Sequence, residues 1–165
     1  MAAGATYEPI QSYTLGSAAS SISFTSIASS WTDLRIVLNC IGSGTIYPKA
    51  VFNSDTSALY SMTFLYGDGS AAQTYNGSGN TGIAMASYGA SSIPALYTLD
   101  IFSYAGSTYK TVLVTSNEDK NGSGTVGRVV NLYRSTSAIT RIDLGYGGNN
   151  FAAGTTATLC GIKAA

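Results

Sequence analysis

The sequence predicts an all-β fold: a two-sheet antiparallel β-sandwich, jelly-roll-like, with about ten strands and little helix. Three observations lead to this prediction. Helical periodicity is nearly absent, short apolar alternations recur along the chain, and Gly, Ser and Asn separate them. Segments that alternate apolar and polar residues bury one face of a sheet, and two such sheets packed together form a sandwich.

The early elements follow from local patterns. Residues 33–41 show the clearest case, because Leu34, Ile36, Leu38 and Cys40 fall on one face of a strand. The segment around Trp31 is the only helix candidate, and it is better explained as a turn that leads into this strand. In the first half of the chain, strands are predicted over 11–16, 20–27, 33–41, 47–53, 60–66 and 82–87.

The later elements also alternate along the strand, and each of their faces carries both apolar and polar residues. Such strands typically place one face on the core and the other on solvent or a neighbouring subunit. Their predicted bounds are 96–104, 108–116, 125–134, 138–145 and 155–163. Residues 67–82 and 117–124 are rich in Gly, Ser and Asn, so they are predicted to be loops.

A chain of 165 residues fits one domain, here predicted as a single sandwich over residues 12–165. Residues 1–11 are expected to form an extended N-terminal arm, since Pro9 favours an extended path. Tyr7, Pro9 and Ile10 are the residues of this arm expected to contact a partner; a frayed terminus is the alternative.

Charge and composition exclude several classes of function. Eight basic and eight acidic residues give a net charge of zero, and the cations are scattered, which argues against nucleic acid as a partner. The first residues contain no basic segment followed by an apolar one, so no secretory signal is expected, and no apolar run is long enough for a membrane span. Charge-poor surfaces associate readily, so assembly with other subunits is expected.

The residues that usually carry catalysis are scarce. The chain has no histidine, which removes Ser–His and Cys–His arrangements, and no cofactor, metal site or catalytic residue is predicted. Cys40 and Cys160 are expected to be buried free thiols, with a bridge between them as the alternative. Asp100 and Asp143 could face each other across a cleft as a carboxylate pair, although pairing with Arg or Lys is preferred.

The sequence also contains three weaker signals. The GSGNTG segment (77–82) matches a dinucleotide-binding pattern, but no helix can follow it. The loops around Asp68 and over 118–121 could offer oxygen ligands to calcium but match no known loop pattern; Glu118 and Asp119 are expected to be solvated. Tyr75 and Asn76, in the predicted loop 67–82, are candidates for a receptor- or glycan-binding surface. The twelve tyrosines are otherwise expected to pack between sheets or subunits, among them Tyr97, Tyr104, Tyr109, Tyr133 and Tyr146.

Four segments together resemble small virion proteins of tailed bacteriophages, particularly cyanophage-like ones. They are YEPIQSYTLGSAASSISFTSI (7–27), WTDLRIVLN (31–39), VGRVVNLYRSTSAITRIDL (126–144) and NFAAGTTATLCGIKAA (150–165). In the family the last strand often has an aromatic residue where this chain has Cys160. The resemblance implies a trimeric β-sandwich, used either as a capsid decoration (cement) protein or as a tail-fibre-type module.

A compact domain without a fibrous shaft suits decoration better than a fibre. The expected function is therefore structural rather than enzymatic: a homotrimer made in the bacterial cytoplasm that binds the major capsid protein outside the phage head and stabilises the shell. The alternative expectation is a receptor- or glycan-binding module of a fibre or tail, which would bind a host surface glycan. An enzyme that uses Asp or Glu on polysaccharide is a minor third hypothesis.

Overall fold

The computed structural model describes residues 7–86, 90–145 and 147–163. The predicted all-β fold is confirmed: these residues form twelve strands in two antiparallel sheets and contain no helix. The strands are β1 (Tyr7–Thr14), β2 (Ser21–Phe24), β3 (Asp33–Cys40), β4 (Lys49–Phe52), β5 (Tyr60–Gly67), β6 (Ala72–Asn80), β7 (Ile83–Ala84), β8 (Ala95–Ile101), β9 (Lys110–Asp119), β10 (Gly124–Tyr133), β11 (Ile142–Gly145) and β12 (Thr156–Ile162).

The two sheets differ in size. The larger has the order β1-β12-β3-β8-β9-β10-β5-β6, and the smaller has the order β2-β11-β4-β7. The first four strands alternate between the sheets: β1 and β3 lie in the larger sheet, and β2 and β4 lie in the smaller one. This alternation is compatible with the jelly-roll-like expectation. The β5–β6 and β9–β10 hairpins add four strands to the larger sheet only; we call these four strands the extension.

The core lies between the sheets and follows from strand alternation. On β3, Leu34, Ile36 and Leu38 are fully buried, and their partners on β8 and β12 include Leu99 and Leu159. On the smaller sheet Phe24, Phe52 and Ile142 point back at them. Every second residue of each central strand therefore leaves water, which is the main force that holds the layers together.

Tyrosines supply much of the core volume, and the hydroxyls of Tyr60, Tyr104 and Tyr133 have hydrogen-bond partners. Tyr60 and Tyr133 stack with ring centroids 4.6 Å apart. The Tyr60 hydroxyl donates to the Asp55 carbonyl at 2.9 Å, and the Tyr133 hydroxyl donates to Asp55 Oδ2 at 2.9 Å. Tyr97 and Tyr104 are also buried, as expected, whereas Tyr109 is exposed and Tyr146 lies outside the described residues. Hydrogen-bonded hydroxyls allow these large rings to be buried at little cost.

Strand β12 lies inside the larger sheet, between β1 and β3. Its Gly161 faces the core beneath the Trp31 ring, so a Cβ there would lie only 2.5 Å from Trp31 Cε3. Trp31 also carries the Lys163 ammonium 5.0 Å from its ring centroid. The segment before β3 contains turns and no helix, as the sequence indicated.

Several boundaries differ from the prediction, and three of the differences are described here. Residues 7–11 of the predicted arm belong to β1, and residues 1–6 lie outside the described residues. The predicted loop 67–82 is wrong, because most of it is strand β6. The strand predicted over 138–145 begins only at Ile142, because Asn53 Oδ1 accepts hydrogen bonds from the N–H groups of Thr140 and Arg141.

Candidate functional site

The structure does not bring the two candidate carboxylates together. Asp100 lies on the outer face of the larger sheet, where Arg35 Nε donates to its Oδ1 at 2.5 Å. Asp143 lies on the smaller sheet, where Arg141 donates to both of its carboxylate oxygens, with Nε at 2.8 Å from Oδ2. The core separates the two residues, so each is one half of an ion pair with arginine.

The Asp143 carboxylate is almost fully buried, while Arg141 is partly exposed. Burial alone would raise the pKa of Asp143. The hydrogen bonds from Arg141 and Ser23 outweigh it, and the pKa lies below its ordinary value. This ion pair is a structural feature that fastens β11 to β2.

The residues predicted to contact a partner lie in edge strand β1. Tyr7 and Pro9 are exposed, whereas Ile10 is half-buried and packs partly against the core. The Tyr7 pKa is raised, first by a hydrogen bond with the Cys160 thiol and then by burial. The Arg35 guanidinium lies 6.0 Å from the Tyr7 ring centroid. Of the three predicted residues, Tyr7 and Pro9 remain available at the surface.

Both cysteines are buried and free, as preferred from the sequence. Cys40 faces the core, and burial, followed by the nearby Glu118 charge, raises its pKa to about 12. Cys160 faces the other side of the sheet, opposite Arg35. A thiol with so high a pKa stays protonated and unreactive, so Cys40 is a packing residue.

The Glu118 side chain is not solvated, contrary to the expectation for its loop. It lies at the end of β9, where Ser91 Oγ donates to it at 3.3 Å and the Lys120 ammonium lies 3.1 Å from Oε2. Its neighbour Asp119 is exposed and accepts a hydrogen bond from the Gly122 N–H, which closes the β9–β10 turn. The two carboxylates thus face different surroundings and do not act as a pair.

Lys110 is a buried cation whose environment only the structure reveals. Its side chain is fully buried, and the ammonium donates to the carbonyls of Gly106 and Thr108, both at 2.6 Å, and of Ser135 at 3.4 Å. Burial lowers its pKa. Because three carbonyls surround the ammonium, Lys110 anchors the loops at this end of the sheet.

Tyr75 and Asn76 do not form one surface. Both lie in β6, where successive side chains point to opposite faces of the sheet. Tyr75 is on the face that carries Phe64, its partner on β5, and Asn76 is on the opposite, outer face beside Thr63. Both residues are exposed, on opposite faces of an edge strand.

The outer face of the extension carries an apolar surface that no described part of the chain covers. Leu65, Val126 and Val130 are exposed by 55%, 59% and 45%, and Leu96 on the adjoining β8 by 41%. We call these four residues the outer patch. Arg128 lies among them, paired in register with Leu65. Exposed aliphatic side chains clustered on one flat sheet are typical of a contact surface.

Other features bear on function. Among the described residues, no group of three or more Cys, Asp or Glu side chains could hold a metal ion. The structure described for residues 7–86, 90–145 and 147–163 includes no helix long and apolar enough to cross a membrane. The GSGNTG segment ends β6 and turns into β7, so the helix required for dinucleotide binding does not follow it. No protein-family model and no curated protein matched this chain when it was compared with them.

Proposed function

We propose that this protein is a structural component of a bacteriophage virion: a decoration protein that binds the outside of the head as a homotrimer and stabilises the shell. The observation that carries the proposal is the outer patch, an apolar surface of the larger sheet that no described part of the chain covers. The resemblance of four segments to phage virion proteins supplies the biological setting.

The outer patch suits contact between copies of this chain. Burying an exposed aliphatic side chain contributes about 1.5–3 kcal/mol at most, and three subunits multiply the number of buried side chains. A neutral chain with only 10% charged residues offers little electrostatic repulsion between copies. The outer patch lies on the face of the larger sheet opposite the core, so a neighbouring subunit can contact it without disturbing the core.

Shell stabilisation would follow from a trimer that touches several capsid subunits at once. Each trimer presents three copies of any capsid contact, and linked contacts bind far more tightly than single ones. The exposed Tyr7 and Pro9 are the proposed capsid contacts on each subunit.

The oligomeric state provides the first test. Light scattering coupled to size exclusion should give about 51 kDa, three times the chain mass of 17.0 kDa. Val126→Asp, at a position 59% exposed, should yield a folded monomer, because a carboxylate cannot be buried in an apolar contact. Tyr47→Asp, half exposed and outside the patch, is the matched control and should remain a trimer. A wild-type monomer would contradict the trimer.

The location of the protein provides the second test. The purified protein should sediment with phage heads that lack it and raise the temperature at which those heads release DNA. Tyr7→Ala should weaken this binding while leaving the trimer intact. A trimer that binds tails or host cells but not heads would overturn the decoration role in favour of a fibre or tail module.

A further inference from the structure

The extension also creates a groove on its inner face. The smaller sheet ends at β7, which lies against β10 and β5, and an open groove of about 510 Å³ remains beside β7 on the inner face of β5 and β6. This volume falls within the range of small-molecule sites, about 300–1,000 Å³. Its lining includes Lys49, Phe64, Tyr66, Gln73, Tyr75 and Asn80.

A side-chain amide offers a hydrogen-bond donor to this groove. The Tyr66 hydroxyl donates to Gln73 Oε1 at 2.7 Å, which orients the amide and leaves Gln73 Nε2 to donate elsewhere.

The groove also holds an aromatic ring and a cation. Tyr75 is exposed by 60%, on the same side of β6 as the groove. Lys49, at the start of β4, forms no ion pair or side-chain hydrogen bond with any described residue. The Gln73 amide, an exposed tyrosine ring and an ammonium that no described residue pairs with thus line one groove.

We propose that this groove binds an acidic saccharide. The C–H face of a pyranose ring packs on Tyr75, its hydroxyl and ring oxygens accept hydrogen bonds from Gln73 Nε2, and its carboxylate pairs with Lys49. An apolar ligand would leave these donors unpaired. A nucleic acid strand would require several cations along the groove, and Lys49 is the one cation among the described residues that line it.

This site is independent of the role proposed above. The outer patch and the groove lie on opposite faces of the extension, so a trimer can form whether or not the groove is occupied. Loss of saccharide binding would leave head binding and trimer mass unchanged. Each proposal can therefore fail in its own experiment while the other holds.

Titration calorimetry with trigalacturonate and galactotriose is a direct test, because these two probes differ only in the carboxylate on each ring. We expect trigalacturonate to bind and galactotriose to bind at least fivefold more weakly. Tyr75→Ala should weaken binding of trigalacturonate about tenfold. Lys49→Gln should remove the preference for the acidic probe. Tyr109→Ala, exposed by 54% and outside the groove, is the matched control and should bind like the wild type.

A panel of immobilised uronic-acid and sialic-acid oligosaccharides extends the test to other acidic rings. Absence of binding to trigalacturonate and to every member of this panel would overturn the proposal. Equal binding of galactotriose that Lys49→Gln does not change would overturn the acidic specificity. Binding that survives Tyr75→Ala would move the site away from this groove.

Discussion

The contact between Gly161 and Trp31 allows a quantitative test of how β12 is held. A Cβ at position 161 would lie 2.5 Å from Trp31 Cε3, against at least 3.4 Å for an ordinary contact. Because Cδ2 and Cε2 of the ring lie closer still, the ring would have to move by more than about 0.9 Å, the difference of those two values, or the strand would have to shift. Gly161 does not have a positive φ, so the effect of a methyl group there is steric.

Overpacking of this kind costs about 1–3 kcal/mol. Replacing glycine by alanine also restricts the unfolded chain, which returns about 0.4–1 kcal/mol. We therefore expect Gly161→Ala to lower the free energy of unfolding by about 1–2 kcal/mol. In a Trp31→Ala background the clash is gone, and the same substitution should be neutral or slightly stabilising.

Urea unfolding of the wild type, the two single variants and the double variant gives the coupling energy. The expected value is about 1–3 kcal/mol, with the double variant more stable than the sum of the single effects predicts. A coupling near zero would refute the packing of the ring on Gly161. Equal m-values across the four proteins are the control, because they show that the unfolded states are comparable.

Three further predictions concern buried polar and thiol groups. Because the pKa of Asp143 is lower in the folded protein, its pairing with Arg141 stabilises the fold above about pH 4 and is lost as the pH falls through the folded pKa. Asp143→Asn should thus be less stable than the wild type at pH 7. Urea unfolding at decreasing pH should show that the difference in free energy of unfolding between the two proteins shrinks; a constant difference would contradict this. Lys110→Met should lower the free energy of unfolding, measured by thermal unfolding, by about 3 kcal/mol, because three buried carbonyls lose their hydrogen-bond donor. An unchanged stability would mean that water replaces the ammonium. A thiol reagent should label Cys40 and Cys160 only after denaturation; rapid native labelling would show that the strands open.

The strands that the sequence predicts well are those with one face on the core. β3 alternates strictly because Leu34, Ile36 and Leu38 are buried while Arg35 and Val37 are not. The alternation follows directly from burial, so it identifies a strand even when its partner strands are unknown. For the same reason, most of the later strands lie close to the bounds that the sequence predicts.

Strand β6 escaped prediction for a physical reason. It is the last strand of the extension, and the smaller sheet covers neither of its faces, so its sequence AQTYNGSGN carries no apolar alternation. Gly and Asn in this segment are turn residues by composition alone. The groove was missed with it, because Gln73, Tyr75 and Asn80 belong to a strand that had been assigned to a loop.

The separation of Asp100 from Asp143 could not be predicted either. Each residue alternates within its own strand, but which surface it reaches depends on the sheet to which that strand belongs. Sheet membership is set by pairings between distant segments, such as β11 with β2 and β4. Local patterns identify strands, whereas the position of a site requires the order of the strands.

The position of β12 also sets a condition on the order of folding. The first strand, β1, has β12 as its sole neighbour in the sheet, and the two are joined in register from Tyr7↔Ile162 to Thr14↔Thr156. A ribosome therefore produces β1 long before its partner exists. Such distant pairings make folding slow, and unpaired strand edges invite association. Until β12 is made, the edges of β1 have no partner strand. Glu8 on β1 carries a charge and Pro9 has no backbone N–H to donate, and both features discourage pairing with a wrong strand.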